Sequence, residues 1–373
     1  MPSSPIPAVA ANPGTGGELW RVLHTVPDPR ARRGRRHRLP VIMACALAAV
    51  LAGARSFVAI GEWTAHQSPQ ALDRLGVVGV VPGESTIRRM LGRLDGDLFD
   101  QLIGALMWTR TATVAGRRLI AIDGKTVRGA RGKTESAQHL VAALDQRIGT
   151  VLGQVAVAAK SNEIPAVRRL LGLFHLAGVV VSVDAMHTQT DTAKLIVDAK
   201  ADYVFTVKGN QPTLFSQLKA LPWAKVPAHT STQKGHGRRA TRTIKVVDAP
   251  AWVEFAGAAQ IAQVRRTTSK AGKKTVEVVY LITSAGHAAA SPAVLASWIQ
   301  GHWSIENQLH WVRDVTFDED RSQVRIGNAP QVMATLRSVA ISILRIMGWT
   351  NIAAGLRHHA RNADHTLNLV LTW

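Results

Sequence analysis

Apolar residues between about Glu18 and Thr113 recur at helical spacing, and no stretch alternates with period two, so residues 18–113 are expected to form an α-helical N-terminal domain. The longest apolar run, Leu39–Ala54, is Ala-rich, contains Pro40 and stops at Arg55, short of the ~20 residues of a membrane span. A buried helix is expected there. From Arg117 the pattern changes to short apolar strands at Leu119–Ile122, Gln138–Leu144 and Val151–Ala159, with Gly149 marking the turn between the second and third. A helix over Ile164–His175, a fully apolar strand over Val179–Val183, a helix over Thr190–Ala201 and a strand over Tyr203–Val207 follow.

The order βββαβαβ predicts an α/β protein with a ribonuclease H-like catalytic domain over residues 114–350, whose acidic ligands gather at strand ends. Asp123 follows the first predicted strand and Asp184 the fourth, and in this topology those strands are neighbours. Two carboxylates there repel each other unless a divalent cation lies between them, with Mg²⁺ the expected ion; taken singly, each Asp also reads as a turn or helix cap. Residues 224–290 are expected to form a β-rich insertion with strands at Thr241–Val247, Gln260–Thr267 and Thr275–Thr283 and turn residues at Ser269–Lys274. A helix starting at Ser291-Pro292 is expected to carry the third acid. On it Trp298, Ile305, Leu309 and Val312 form an apolar stripe, while His302, Glu306, His310 and Arg313 line an adjacent face. The two histidines lie two turns apart, which departs from the zinc-protease pattern. Asp314, eight residues beyond Glu306, falls close to the same face and is the rival third ligand; Glu163, after the third strand, is a further rival that reads first as a cap of the following helix.

Charge adds a partner. Lys and Arg number 45 against 25 Asp and Glu, a formal net charge of +20, which calls for a polyanion. The basic run Arg30, Arg32, Arg33, Arg35, Arg36, Arg38 reads either as a solvated linker or as a phosphate-binding segment. A helix with Ser85 at its start carries Arg88, Arg89 and Arg93 and reads either as a groove-binding element or as a solvated face. Lys125, Lys208, His302, His310 and Arg313 complete the candidate DNA contacts; for the histidines a structural role is the alternative. The single cysteine, Cys45, excludes a disulfide within the chain and a cysteine zinc site, and fits a reducing cytoplasm. Met1–Gly17 lacks the basic start and apolar core of a signal peptide and reads as a disordered tail, as residues 351–373 read as a C-terminal tail.

Several strings in fixed order carry a resemblance: Ile122–Gly129 (IDGKTVRG), Lys160–Ile164 (KSNEI), Val183–Gln189 (VDAMHTQ), Ala201–Gln211 (ADYVFTVKGNQ) and His302–Trp311 (HWSIENQLHW). They are similar to those of the ISAs-type, or H-repeat-associated, insertion-sequence DDE transposases, and the likeness runs from Asp28 to His359. It implies that Asp123, Asp184 and Glu306 are the catalytic and metal-binding triad, holding two Mg²⁺ or Mn²⁺ ions. It also implies metal-dependent cleavage at element ends and 3′-OH strand transfer into target DNA, by a homodimer assembled on double-stranded DNA in the bacterial cytoplasm. Against the Tyr-Arg-Glu-Lys signature of a sister group, this chain has Ile299, His302, Glu306 and Arg313, so only the Glu and a final basic residue persist. A catalytically silent DNA-binding descendant and a nuclease that only hydrolyses are the alternative functions.

Overall fold

A computed structural model describes residues 17–33, 35–113, 116–131, 137–158, 161–235, 237–271 and 273–373. Apart from Gly17, the expected N-terminal tail lies outside these residues, as do Ala159 and Lys160. Six helices come first: α1 (Glu18–Thr25), α2 (Leu39–Leu51), α3 (Phe57–Ala65), α4 (Pro69–Arg74), α5 (Glu84–Leu91) and α6 (Gly96–Thr109). Next come β1 (Arg118–Thr126), β2 (His139–Asp145), β3 (Thr150–Ala156), α7 (Glu163–Leu171), β4 (Val179–Val183), α8 (Thr190–Asp198), β5 (Asp202–Val207) and α9 (Pro212–Lys219). Four strands follow, β6 (Ala228–Gly235), β7 (Arg238–Asp248), β8 (Gln260–Lys270) and β9 (Lys273–Thr283), and then α10 (Pro292–His302), α11 (Ala329–Ile346), α12 (Ile352–Ala360) and α13 (Ala363–Thr372). The order βββαβαβ read from the sequence is the order found. The chain forms two compact units.

The first unit comprises residues up to Ala112, Gly124–Asn162 and Ile305–Trp373. α3, α4 and α6 start where short polar side chains take up free backbone N–H groups: Ser56 accepts from Ala59, Ser68 from Ala71 and Asp95 from Leu98. α2 is apolar all round and buried along nearly its whole length, as its sequence demands. α11 is buried almost throughout and packs on α2, α6 and β3, so this unit closes around two enclosed helices. The hairpin β2–β3 turns at Gly149, whose φ of +73° suits glycine, and Asp145 Oδ1 accepts from Arg147 and Ile148 N–H. Residues 351–373, expected as a tail, instead form α12 and α13, and α13 packs against α1, α2 and α4. α5 also differs from expectation: Gly83 caps it, not Ser85, and it ends before Arg93.

The second unit comprises Thr113–Asp123 and Glu163–Ser304 and contains a large mixed sheet in the order β1-β4-β5-β9-β8-β7-β6. β1, β4 and β5 run parallel, and β9, β8, β7 and β6 continue antiparallel. The parallel strands are apolar on both faces because both are covered. One face packs Val180, Val204, Ile244 and Leu281 against Leu295 and Trp298 of α10. β6 is not legible in the sequence. Its residues are exposed nearly throughout, so nothing forces an apolar alternation upon it.

Candidate active site

The parallel register of β1 and β4 pairs Ile122 with Val183, and the residue that follows each of them is an aspartate, Asp123 within β1 and Asp184 just past the end of β4. Adjacent strands lie ~4.8 Å apart, so both carboxylates leave the backbone at one level of the sheet. β1 runs on to Thr126, so Asp123 lies inside the strand, one residue past its last pair with β4, where the sequence pattern puts the strand's end. Asp123 is half-buried and Asp184 is exposed.

Asp184 opens a short turn, Ala185–His187, which the motif after β5 holds in place. Asn210 Nδ2 donates to the Ala185 carbonyl at 2.8 Å, Gln211 Nε2 donates to the Thr188 carbonyl at 2.8 Å, and the Thr188 hydroxyl donates to the Thr206 carbonyl at 2.6 Å. His187 is buried with its Nε2 at 2.9 Å from Glu163 Oε2. Glu163 therefore does more than begin α7. Asn210, Gln211 and His187 make contacts that sequence reasoning does not assign, although all three stand in the quoted motifs. Lys208 Nζ lies 3.6 Å from Asp184 Oδ1, a pair in which both side chains are 55% exposed and which contributes little stability. His302 Nδ1 lies 3.0 Å from the Ser182 hydroxyl, two residues before Asp184.

In the first unit, Glu306–His310 and Val312–Thr316 are π-helical. A π turn takes up one more residue than an α turn, which rotates the residues beyond it relative to an α-helical wheel, and such turns recur at functional sites. The stripe Ile305, Leu309 and Val312 is buried as expected, but the polar face divides. Glu306 is half-exposed with its Oε2 at 3.5 Å from Nδ1 of the buried His310. Burial lowers the His310 imidazole below its usual range, the hydrogen bond to Glu306 opposes this, and the charge of Arg313 adds to it.

Arg313 turns wholly inward. Its Nε donates to Glu319 Oε2 at 2.8 Å and its Nη1 to Gln154 Oε1 at 3.0 Å; Arg337 Nη1 binds the other Glu319 oxygen at 2.8 Å. Gln154 Nε2 donates in turn to Asp100, which also accepts from Gln331 and Thr335. Lys125 is 9% exposed and pairs with Asp314 at 2.6 Å and Asp320 at 3.6 Å. As placed, Arg313, Lys125 and His310 are internal groups, which corrects the expectation that they face DNA. The rival ligand Asp314 is occupied by Lys125. The arginines at 32, 33, 35, 36 and 38 are exposed. Arg35 also bonds the carbonyls of Arg30 and Ala31, Arg88 pairs with Glu84 at 2.9 Å and Arg89 Nε donates to the Ser85 carbonyl.

The family model described as "Transposase DDE domain" matches residues 115–343, and the model "DDE_Tnp_1-associated" matches residues 20–107. The chain belongs to the DDE transposase family. Among its relatives, YncI of Escherichia coli O157:H7 is 34% identical over 349 residues, covering 88% of this chain and 87% of that protein. The H repeat-associated YhhI of E. coli K12 is 32% identical over 371 residues, covering 93% and 94%. Both carry provisional transposase names. A piggyBac transposase synaptic complex with hairpin DNA aligns over 93% of this chain and 76% of that one at 12% identity and TM-score 0.42, too loose a likeness to bear on the site.

Proposed function

We propose that the protein is an insertion-sequence transposase that binds element-end DNA, cuts it at a ribonuclease H-like site and joins the freed 3′-OH to target DNA. The observation that carries this reading is the register pair Ile122 with Val183, which sets Asp123 and Asp184 side by side on neighbouring parallel strands. Hard oxygen donors without a thiolate suit Mg²⁺ or Mn²⁺. Asp184 is open to solvent and its pair with Lys208 at 3.6 Å is half-exposed and weak, so its carboxylate is available to a cation. Glu306 is the third ligand; Asp123, Glu306 and His310 each offer a donor atom of the kind a metal takes. When bound, two such ions lower the pKa of water, neutralise the charge developing at phosphorus and stabilise the leaving 3′-oxygen. The chain's own residues do the rest. The side-chain amides of Asn210 and Gln211 fix the backbone that carries Asp184, and the buried Arg313–Glu319–Arg337 cluster fixes the widened helix that carries Glu306. The exposed arginines at 32, 33, 35, 36, 38, 88 and 89, with Lys208 and His302, serve as phosphate contacts. Joining two ends calls for a dimer assembled on DNA.

Incubating the protein with labelled element ends, a target plasmid and Mg²⁺ tests this. Joined product is expected. Cleaved ends without joining would make it a nuclease, and bound but intact DNA a silent descendant. Asp184→Ala should abolish both steps while keeping the melting profile, and full activity in that variant would remove the metal site from the account.

A further inference from the structure

The four strands β6–β9 hold ten Lys and Arg against two acids. β9 pairs with β5 only through Tyr280–Thr283, so Lys273–Val279 and the strand segments beside it run on past β5 as an arm. Seven residues of strand extend ~23 Å. Directly opposed residues of antiparallel strands share a face, and the registers Arg238 with Lys270, Arg242 with Arg266, Lys270 with Lys273 and Arg266 with Glu277 therefore bring these side chains to one side.

The same face changes character along its length. At its base Ile244 and Ala262 are buried in the core with Leu295 and Trp298; one step outward it becomes arginine. Two arginines directly opposite each other are unfavourable in an isolated sheet. Arg242 Nη1 donates to Gln233 Oε1 at 3.0 Å, and Arg266 has Glu277 at 3.7 Å, a pair about half-exposed on both sides that offsets little of the repulsion. Burial, and after it the charges of Arg266 and Arg238, lower the pKa of Arg242. An external polyanion completes this surface.

We propose that the outer half of the β6–β9 arm is a separate DNA-binding surface, on which Arg238, Arg242, Arg266, Lys270 and Lys273 grip the phosphates of duplex DNA and Glu277 limits the grip. The inference rests on DNA being the substrate, and it adds a surface that neither the basic run near the N-terminus nor the carboxylate site contains. Duplex DNA is favoured over an acidic protein because its charges repeat along a rod, as the cations do along the strands, and because the set is arginine-rich.

The test is equilibrium binding of the full chain to a fluorescent duplex in EDTA, so that no cleavage occurs, over a range of salt concentrations. Replacing Arg238, Arg242, Arg266 and Lys270 together by Gln should weaken binding at least tenfold and lower the salt slope by up to ~3.6, at ~0.9 for each phosphate no longer neutralised. Glu277→Gln should tighten binding several-fold, a gain that damage to the fold does not produce. If the unaltered chain binds no duplex, the DNA reading falls and this inference with it. If it binds, but the fourfold variant lowers the slope by less than a single phosphate's share or Glu277→Gln leaves affinity unchanged, the arm alone is ruled out and the catalytic reading stands.

Discussion

Replacing Glu319 by Gln removes the one carboxylate lying between two buried guanidinium groups, with Glu319 and Arg313 0% exposed and Arg337 1%. Burial by itself pushes the Glu319 carboxyl up; the charges and hydrogen bonds of Arg313 and Arg337 overcome this and hold it down at about 2, from an ordinary 4.5. At ~1.4 kcal/mol for each tenfold change in proton affinity, the depressed value corresponds to about 3 kcal/mol of stability at neutral pH. Breaking a buried pair by removing one partner independently suggests ~3–5 kcal/mol, because the remaining charges stay buried. For a folding unit of roughly 150–250 residues each kcal/mol moves the melting midpoint by ~2–4 °C. Glu319→Gln should therefore lower the midpoint of the unit containing α11 by about 6–12 °C, read by calorimetry at pH 7. The effect has a pH window. A depressed carboxyl contributes stability that is present above 4.5 and lost as pH falls through about 2, so the variant and the parent should converge in strong acid. Replacing all three residues together by Met, Leu and Met should recover most of the loss, since apolar substitutes leave no unpaired charge. A midpoint within about 2 °C of the parent for Glu319→Gln would refute the reasoning.

Asp100 titrates in the opposite sense. Burial raises its carboxyl to about 7 despite hydrogen bonds from Gln331, Thr335 and Gln154, so its contribution is present below 3.8 and lost as pH rises through about 7. Asp100→Asn should flatten the fall in stability over that window, and an unchanged pH profile would contradict the assignment. Asn210→Ala should reduce Mg²⁺-dependent cleavage by ~10-fold or more, the usual consequence of loosening support behind a ligand, while melting changes by only a few degrees; unaltered cleavage would deny Asn210 its positioning role. Replacing Arg32, Arg33, Arg35 and Arg36 should lower the salt dependence of DNA binding by ~0.9 for each phosphate released, and an unchanged slope would return that run to a linker.

The strand order and both aspartates are legible because buried parallel strands force continuous apolar runs, and a carboxylate at the end of such a run stands out. For β4 even the bounds, Val179 and Val183, can be read off, since the fully covered strand is apolar at both ends and gives way at once to an aspartate. The third element is harder. Trp298, Ile305, Leu309 and Val312 are legible as buried, but an α-helical wheel misdraws the face holding Glu306, and no residue type signals a π turn. Arg313 therefore reads as an exposed partner of Glu306, whereas the wider turn carries it into the core. Lys125 is hidden for a different reason: its partners Asp314 and Asp320 are 189 and more residues away in sequence, a pairing that no local pattern encodes.

The central claim is that Asp123, Asp184 and Glu306 supply the carboxylates for DNA cleavage, and Glu306 is its most exposed part. The direct measurement is Mg²⁺-dependent nicking of labelled element ends by two variants side by side, Glu306→Gln and Asp314→Asn. Glu306→Gln should bind the ends yet give no nicked or joined product. Asp314→Asn, which loosens only the Lys125 pair, should retain most of the activity. Normal cleavage by Glu306→Gln together with loss of cleavage in Asp314→Asn would contradict the account and move the third ligand to Asp314.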